Sequence, residues 1–410
     1  MEVDLMPSIV IVGGGFAGVW AALAAAETRR MRRARSRDIS IHVVSRDPWL
    51  TIRPRLYENS LDHVRVPLDE VLAPAGVEYI RGDVTRIDTA GQVVVVTDGA
   101  GARALSYDRL VVAAGSHVSR PPIPGIENTF GVDTYAEATA LERHLASLGV
   151  PDGNTNTPST ADARFSAVVV GAGFTGIEVA TALASRVRSL AFTTGAAKQL
   201  RVAIVERAPV VAPDLGHAAR IQVEQAFGTL GIDVRLGVGV KAVSPEGVTL
   251  ENGDFMAAAM TVWTGGLRAS DLASQLGVAR DEIGRVSVDE YLRIPGVAGV
   301  YAAGDVARAI AARDDEEHIA PMSCQCAIPM GEIAGRNAAA DLLGLPPERF
   351  SHTQYVTCLD LGDAGALFME GWSREPRLSG FWGKIMKQTI NTRLIYPPRS
   401  GTISRLSPAA

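Results

Sequence analysis

The chain has 410 residues, 47% of them hydrophobic and 21% charged, with a formal net charge of −5. That length suits about two or three domains with buried cores, the composition is that of an ordinary globular protein, and the charge gives no electrostatic case for nucleic acid. No apolar run approaches the roughly 20 residues that span a bilayer, Met1–Met6 lacks the basic start of a signal peptide, and the sparing use of cysteine (Cys324, Cys326 and Cys358) fits a reducing compartment, read as the cytoplasm.

Ser8–Val12 (SIVIV) reads as a buried strand, followed at once by Gly13–Gly18 (GGGFAG) and a helix from Phe16 to Ala26. In such a loop Gly13 allows a tight turn, Gly15 lets the backbone approach a pyrophosphate, and Gly18 lets the helix pack closely on the strand. The free N–H groups and positive end of the helix then meet the phosphates. The basic run Arg29–Arg37 (RRMRRARSR) reads as a solvated helix end or loop. A strand at Ile39–Val44 ends in Ser45 and Arg46 where a ribose-binding acid is expected, with Asp47 as the substitute. Val93–Thr97 and Leu110–Ala113 read as further strands, Pro121, Pro122, Pro124 and Gly125 mark a break, and Pro151–Thr160 (PDGNTNTPST) reads as a mobile linker.

The same pattern then returns. Ala167–Val170 (AVVV) leads into Gly171–Gly176 (GAGFTG), good helix formers follow over Ile177–Ser185, and the strand Arg201–Val205 ends at Glu206, about where a carboxylate binds the ribose hydroxyls of NAD. A single glycine loop is weak evidence, but two copies, each between an apolar strand and a helix, imply two dinucleotides on one polypeptide. The economical reading is a flavoprotein that accepts a hydride from a nicotinamide nucleotide. Glu206 repels a 2′-phosphate and favours NADH, while Arg207 beside it can accept one, so NADPH stays open. Val297–Asp305 (VAGVYAAGD) reads as a strand ending in a glycine–aspartate turn, which makes the first domain discontinuous with the second inserted in it.

With Tyr107–Ser116 (YDRLVVAAGS) and Val300–Asp305 (VYAAGD), the paired loops resemble the two-dinucleotide flavoprotein reductases of the pyridine nucleotide-disulfide oxidoreductase-like superfamily. Pro54–Tyr57 (PRLY) is similar to an element of its type II NADH dehydrogenase (NADH:quinone oxidoreductase) branch, and the resemblance covers about residues 8–345. It implies an α/β fold with two Rossmann-like domains: an FAD domain at 1–125 and 285–345, an NAD(P)H domain at 126–284, and a smaller C-terminal region at 346–410. It implies that Gly13, Gly15, Phe16, Ala17 and Gly18 hold the FAD pyrophosphate, with Asp47, Pro54, Asp83, Val84, Ala114, Gly115 and Gly304 around the cofactor. Asp305 would accept hydrogen bonds from ribityl or phosphate-side hydroxyls, and Gln325, Cys326 and Ala327 would lie beside the ring. NAD(P)H falls to Gly171, Gly173, Phe174, Thr175, Gly176, Glu206, Arg207 and Gly265. Glu178 would lie near nicotinamide and flavin as a catalytic or gating residue, its other reading being a favourable interaction with the helix dipole.

Disulfide reductases of this superfamily carry a redox-active cysteine pair near the first loop or a C-x-x-C in the second domain, and neither occurs here. Cys324 and Cys326 are poorly spaced for a local disulfide and Cys358 is isolated. Hydride is therefore expected to pass straight from nicotinamide C4 to flavin N5, with no metal. In the resembling branch an A-Q-x-A-x-Q segment lies at the quinone site. Pro321–Gly331 (PMSCQCAIPMG) matches it at Gln325, the second candidate catalytic residue, and at Ala327, but places Pro329 where the second amide belongs. Two acceptors stay open: a quinone or similar small molecule reduced in a ping-pong cycle, and a protein partner such as a ferredoxin or monooxygenase. A nucleotide-sensing flavoprotein without turnover is the third reading. In the tail, Phe381, Trp382, Ile385, Met386 and Ile390 recur at helical spacing with Lys384, Lys387 and Arg393 interleaved, ended by Pro397 and Pro398. Such a helix packs on its own domain or a homodimer partner, or lies on the inner face of an anionic membrane.

Overall fold

The computed structural model describes residues 6–31, 39–148, 163–193, 201–398 and 401. The expected linker at Pro151–Thr160 and most of the basic run Arg29–Arg37 lie outside these residues.

Two parallel sheets organise the chain. The first has five strands in the spatial order 300–302, 109–112, 8–12, 40–45 and 78–81, with Val12 opposite both Val44 and Val112. The second has four, in the order 232–236, 201–206, 166–170 and 260–263, with Val170 opposite Val205 and Trp263. Their central strands are uninterrupted runs of valine and isoleucine because elements cover both faces, so alternation with polar residues is lost. This is the α/β class expected from the paired loops. Ser116–Val118 pairs with Leu267–Ala269 where the chain passes between the sheets and returns. A three-stranded antiparallel unit over 83–106 is inserted between the strands 78–81 and 109–112 of the first sheet.

Two helices on the first sheet fix the site. Phe16–Met31 runs parallel to Cys324–Leu342, and the backbones touch: a Cβ on Gly331 would stand 2.2 Å from the Ala17 carbonyl oxygen, and one on Gly335 2.0 Å from that of Ala21. Because Gly331 lies beside Ala17, the second helix starts about 9 Å before its neighbour, which carries Cys324–Ala327 past the first glycine loop.

The C-terminal region is an antiparallel meander, Val356–Asp360, Ala366–Glu370 and Glu375–Leu378, with the helix Gly380–Thr389 packed on it. Contact is made through Gly383, where a Cβ would stand 2.0 Å from the Ala366 carbonyl oxygen. The helix is amphipathic with its faces exchanged. Lys387 is buried, while Phe381 and Trp382 are 71% and 66% exposed. A π-helical turn at Ile390–Leu394 ends it before the prolines.

Three local expectations change. The helix expected to stop at Ala26 continues to Met31. Within the basic run Arg29 is not a solvated charge, since its guanidinium donates to the carbonyls of Ile39, Ala75 and Gly76 at 2.9–3.0 Å. The strand expected over 297–305 contracts to Val300–Ala302, because Gly304 takes φ +74° and starts a 3-10 turn through Val306.

Candidate active site

The two glycine loops divide their work in the same way. Gly13 and Gly171 have φ of +116° and +104°, a region that favours glycine. A Cβ on Gly18 or Gly176 would stand 1.8 Å from the carbonyl oxygen of Gly13 or Gly171, so helix and strand meet only without a side chain. At Gly15 and Gly173 a Cβ would meet nothing within 4 Å. Those middle glycines face open space at the positive ends of helices whose first intrahelical bonds run from Val19 N–H to Gly15 O and from Ile177 N–H to Gly173 O. The geometry admits a pyrophosphate at each loop. Phe16, Ala17, Phe174 and Thr175 form the opening turns of these helices.

Around the first loop, Asp305 accepts a hydrogen bond from Ser116 Oγ at 2.6 Å and lies 3.6 Å from Arg53, which also pairs with Asp133. Arg53 immediately precedes the PRLY element and shares a 3-10 turn with Pro54 and Arg55, and that turn sets its guanidinium beside the Asp305 carboxylate. Ala114 and Gly115 follow the strand 109–112, and the Gly115 carbonyl accepts from Ser270 N–H. Asp47 closes its own turn by accepting from Trp49 N–H at 3.2 Å, while Asp83, beside buried Val84, lies 4.0 Å from Arg46. At the second loop the Glu206 carboxylate accepts from Ala172 N–H at 2.7 Å and Ala208 N–H at 2.9 Å. It is thereby fixed against the cradle. Gly265 lies beside the Trp263 indole, whose Nε1 donates to the Gly265 carbonyl.

The overhanging helix is capped by Ser323, whose Oγ accepts from Cys326 N–H. Gln325 is brought to the C-terminal meander, its amide facing the backbone of Val356 and 3.5 Å from the Gln354 carbonyl. Gly304 packs against Ala17 and Ala327, which joins the aspartate turn, the first loop and this helix.

Glu178 is placed by a partner the sequence reading did not find. Buried just past the first turn of the second-loop helix, Phe174–Thr193, and so not in the opening turn, it accepts from Lys387 Nζ at 2.7 Å and Asp360 N–H at 3.0 Å. Lys387 also donates to the Cys358 carbonyl at 3.0 Å and lies 5.8 Å from the Tyr57 ring centroid. The Asp360 carboxylate takes both bonds from Lys384, at 2.6 and 2.8 Å. Burial pushes the Glu178 carboxyl up, against the attraction of Lys387. Burial alone would lower Lys387, but the Glu178 charge and hydrogen bond outweigh it and raise the ammonium above its ordinary 10.5. The Tyr57 hydroxyl, pushed well up by burial and then by Glu178, is buried without a hydrogen-bond partner. The sequence signal for Lys387 was a lysine inside an apolar helical stripe.

All three cysteines are free. Burial raises Cys324 to about 11 and Cys326 and Cys358 to about 12, so the thiolate that would act as nucleophile is scarce at neutral pH. The double variant Cys324→Ala/Cys358→Ala should keep nucleotide-driven turnover in a steady-state assay, and its loss would reinstate a thiol relay. Among the described residues no group of His, Cys, Asp and Glu could hold a metal ion.

Residues 7–331 match the family model for pyridine nucleotide-disulphide oxidoreductases. An NADH dehydrogenase-like protein of Mycobacterium tuberculosis is 47% identical over 99% of this chain and 98% of its own length. The type II NADH:quinone oxidoreductase of that organism is 30% identical over 85% of this chain and 75% of its own. The structure of NDH2 from Plasmodium falciparum in complex with NADH shares the fold, with a TM-score of 0.79 at 14% identity over 97% of this chain and 96% of that one. The duplicated cradle and these matches make the chain a member of the pyridine nucleotide-disulphide oxidoreductase family, an oxidoreductase near the type II NADH dehydrogenases.

Proposed function

We propose that the protein is an FAD-dependent NAD(P)H dehydrogenase that delivers electrons to a quinone or similar small acceptor without a redox-active disulfide. The observation that carries this reading is the duplicated cradle, with Gly15 and Gly173 each leaving space at a helix N-terminus. In this reading residues 1–125 and 285–345 are the FAD domain, 126–284 the nicotinamide domain, and 346–410 a C-terminal interface or membrane-surface element.

The residues fit the cofactors. The first loop and the positive end of Phe16–Met31 hold the diphosphate charge, and Asp305, oriented by Ser116 and Arg53, accepts from cofactor hydroxyls. The second loop and Glu206 hold NADH, with NADPH the weaker alternative. Bound FAD supplies two-electron acceptance, and direct transfer needs only stacking and orientation from the protein. Reduction of a quinone to the quinol consumes one proton beyond the hydride equivalent. Glu178 and Lys387 form a buried carboxylate–ammonium pair that can hold one proton at Lys387 Nζ away from bulk water. The outward apolar face of Phe381, Trp382 and Ile385 is suited to peripheral contact with the inner face of a membrane. No helix among the described residues is long and apolar enough to cross one.

One observation favours a second acceptor class. Pro329 replaces an amide, and the Gln325 amide faces the Val356 backbone, which leaves fewer amide donors for a quinone carbonyl. Initial-rate assays separate the two readings. Parallel-line kinetics with a short-chain quinone support the first, and turnover seen only with an iron–sulfur protein supports a reductase component.

A further inference from the structure

The ribose end of the second cradle carries an acid that no motif announces. Arg207, next to the fixed Glu206, is 75% exposed and is the cation that could receive a 2′-phosphate. It is turned instead to Glu251, Nη2 to Oε1 at 3.4 Å. Glu251 is anchored: its Oε2 accepts from Gly239 N–H at 3.2 Å and its own N–H donates to the Gly239 carbonyl at 2.9 Å. A Cβ on Gly239 would stand 2.7 Å from this carboxylate, so the acid lies close against the Gly239 backbone. The same segment is bonded to the Glu206 turn, through Gly237 N–H to Ala208 O at 3.0 Å and Val238 N–H to Glu206 O at 3.2 Å. The rim therefore presents two carboxylates against one guanidinium.

We propose that Glu251 is a specificity-determining residue, which favours NADH over NADPH by holding Arg207 away from the adenosine 2′ position. The inference rests on the reading of the second loop as the nicotinamide-nucleotide site. Glu251 acts through Arg207, as a positioning residue. Because the pair is exposed, its removal should be felt as a modest factor, about fivefold.

The test is Glu251→Gln, whose amide oxygen can still accept from Gly239 while the charge is gone. The measured quantity is the ratio of kcat/KM for NADPH to that for NADH, with the same acceptor and enzyme preparation. The ratio should rise about fivefold, carried by the KM for NADPH with little change in kcat. In an Arg207→Ala background the same substitution should leave the ratio where Arg207→Ala alone puts it. An unchanged ratio in the single variant overturns the proposal. So does an equal rise in the Arg207→Ala background, which would mean that Glu251 repels the phosphate directly. Failure of the unsubstituted protein to oxidise either nucleotide would count against the underlying site reading and is seen separately, in the parent enzyme.

Discussion

Gly15→Val protein is expected to be isolated without flavin, and Gly173→Val protein to keep its flavin but resist reduction by NADH. At both positions a Cβ meets nothing within 4 Å, so the fold tolerates the new side chain, and neither glycine has the positive φ that would strain it. The branched side chain then stands where the phosphate oxygens must approach the helix N–H groups. Each charge-assisted hydrogen bond lost removes about 1.5–3 kcal/mol, so affinity for the corresponding dinucleotide should fall about a hundredfold or more. Gly18→Ala and Gly176→Ala behave differently, because their Cβ would lie 1.8 Å from a backbone carbonyl and push helix from strand. Those two should lower the thermal midpoint, whereas the middle-glycine variants should not. Flavin content and NADH-dependent bleaching, measured beside melting curves, check the set. A Gly173→Val protein reduced as fast as its parent would remove the second loop from the nucleotide site.

Lys387→Met should cost about 3–5 kcal/mol of stability, the usual consequence of leaving one member of a buried pair uncompensated. Here the stranded group is Glu178, which keeps only the Asp360 N–H. Glu178→Gln combined with Lys387→Met should recover much of the loss, since neither member of the pair then carries a charge. The pH dependence has a fixed sign. The Lys387 pKa is raised on folding, so its contribution is present in full below pH 10.5 and is lost as pH rises through the higher folded value. Glu178 is raised as well, so acidification from neutrality does not destabilise the fold through this carboxylate. The parent should therefore show an alkaline loss of stability that Lys387→Met lacks. In activity, reduction of the acceptor should slow while flavin reduction by NADH persists. Equal denaturation midpoints for parent and variant would show that the pair does not hold the module to the second-loop helix.

The glycine loops were legible because their first and third glycines answer a local demand, a positive φ at Gly13 and Gly171 and a close backbone approach at Gly18 and Gly176. A carbonyl 1.8 Å from a would-be Cβ admits only one residue type, and the apolar strand before it supplies the context. The Glu178 partner was not legible, since Lys387 lies 209 residues away and only tertiary packing joins them. Helical periodicity also misdirected the tail. It places lysines outward, whereas here Gly383 brings the helix backbone against the meander and Lys387 reaches inward to a carboxylate. Arg29 shows the limit of reading a charge run as one object, because carbonyls from two distant segments capture that residue. Glu251 gave no signal either, as its role depends on a backbone contact with Gly239.

Rapid anaerobic mixing of the purified protein with NADH deuterated at the transferred C4 position tests the central claim most directly. The account predicts bleaching of bound flavin in the absence of acceptor, slowed by deuterium, with all three thiols free before and after. A protein that carries no flavin, or one whose flavin bleaches without an isotope effect while its thiols change state, would contradict it.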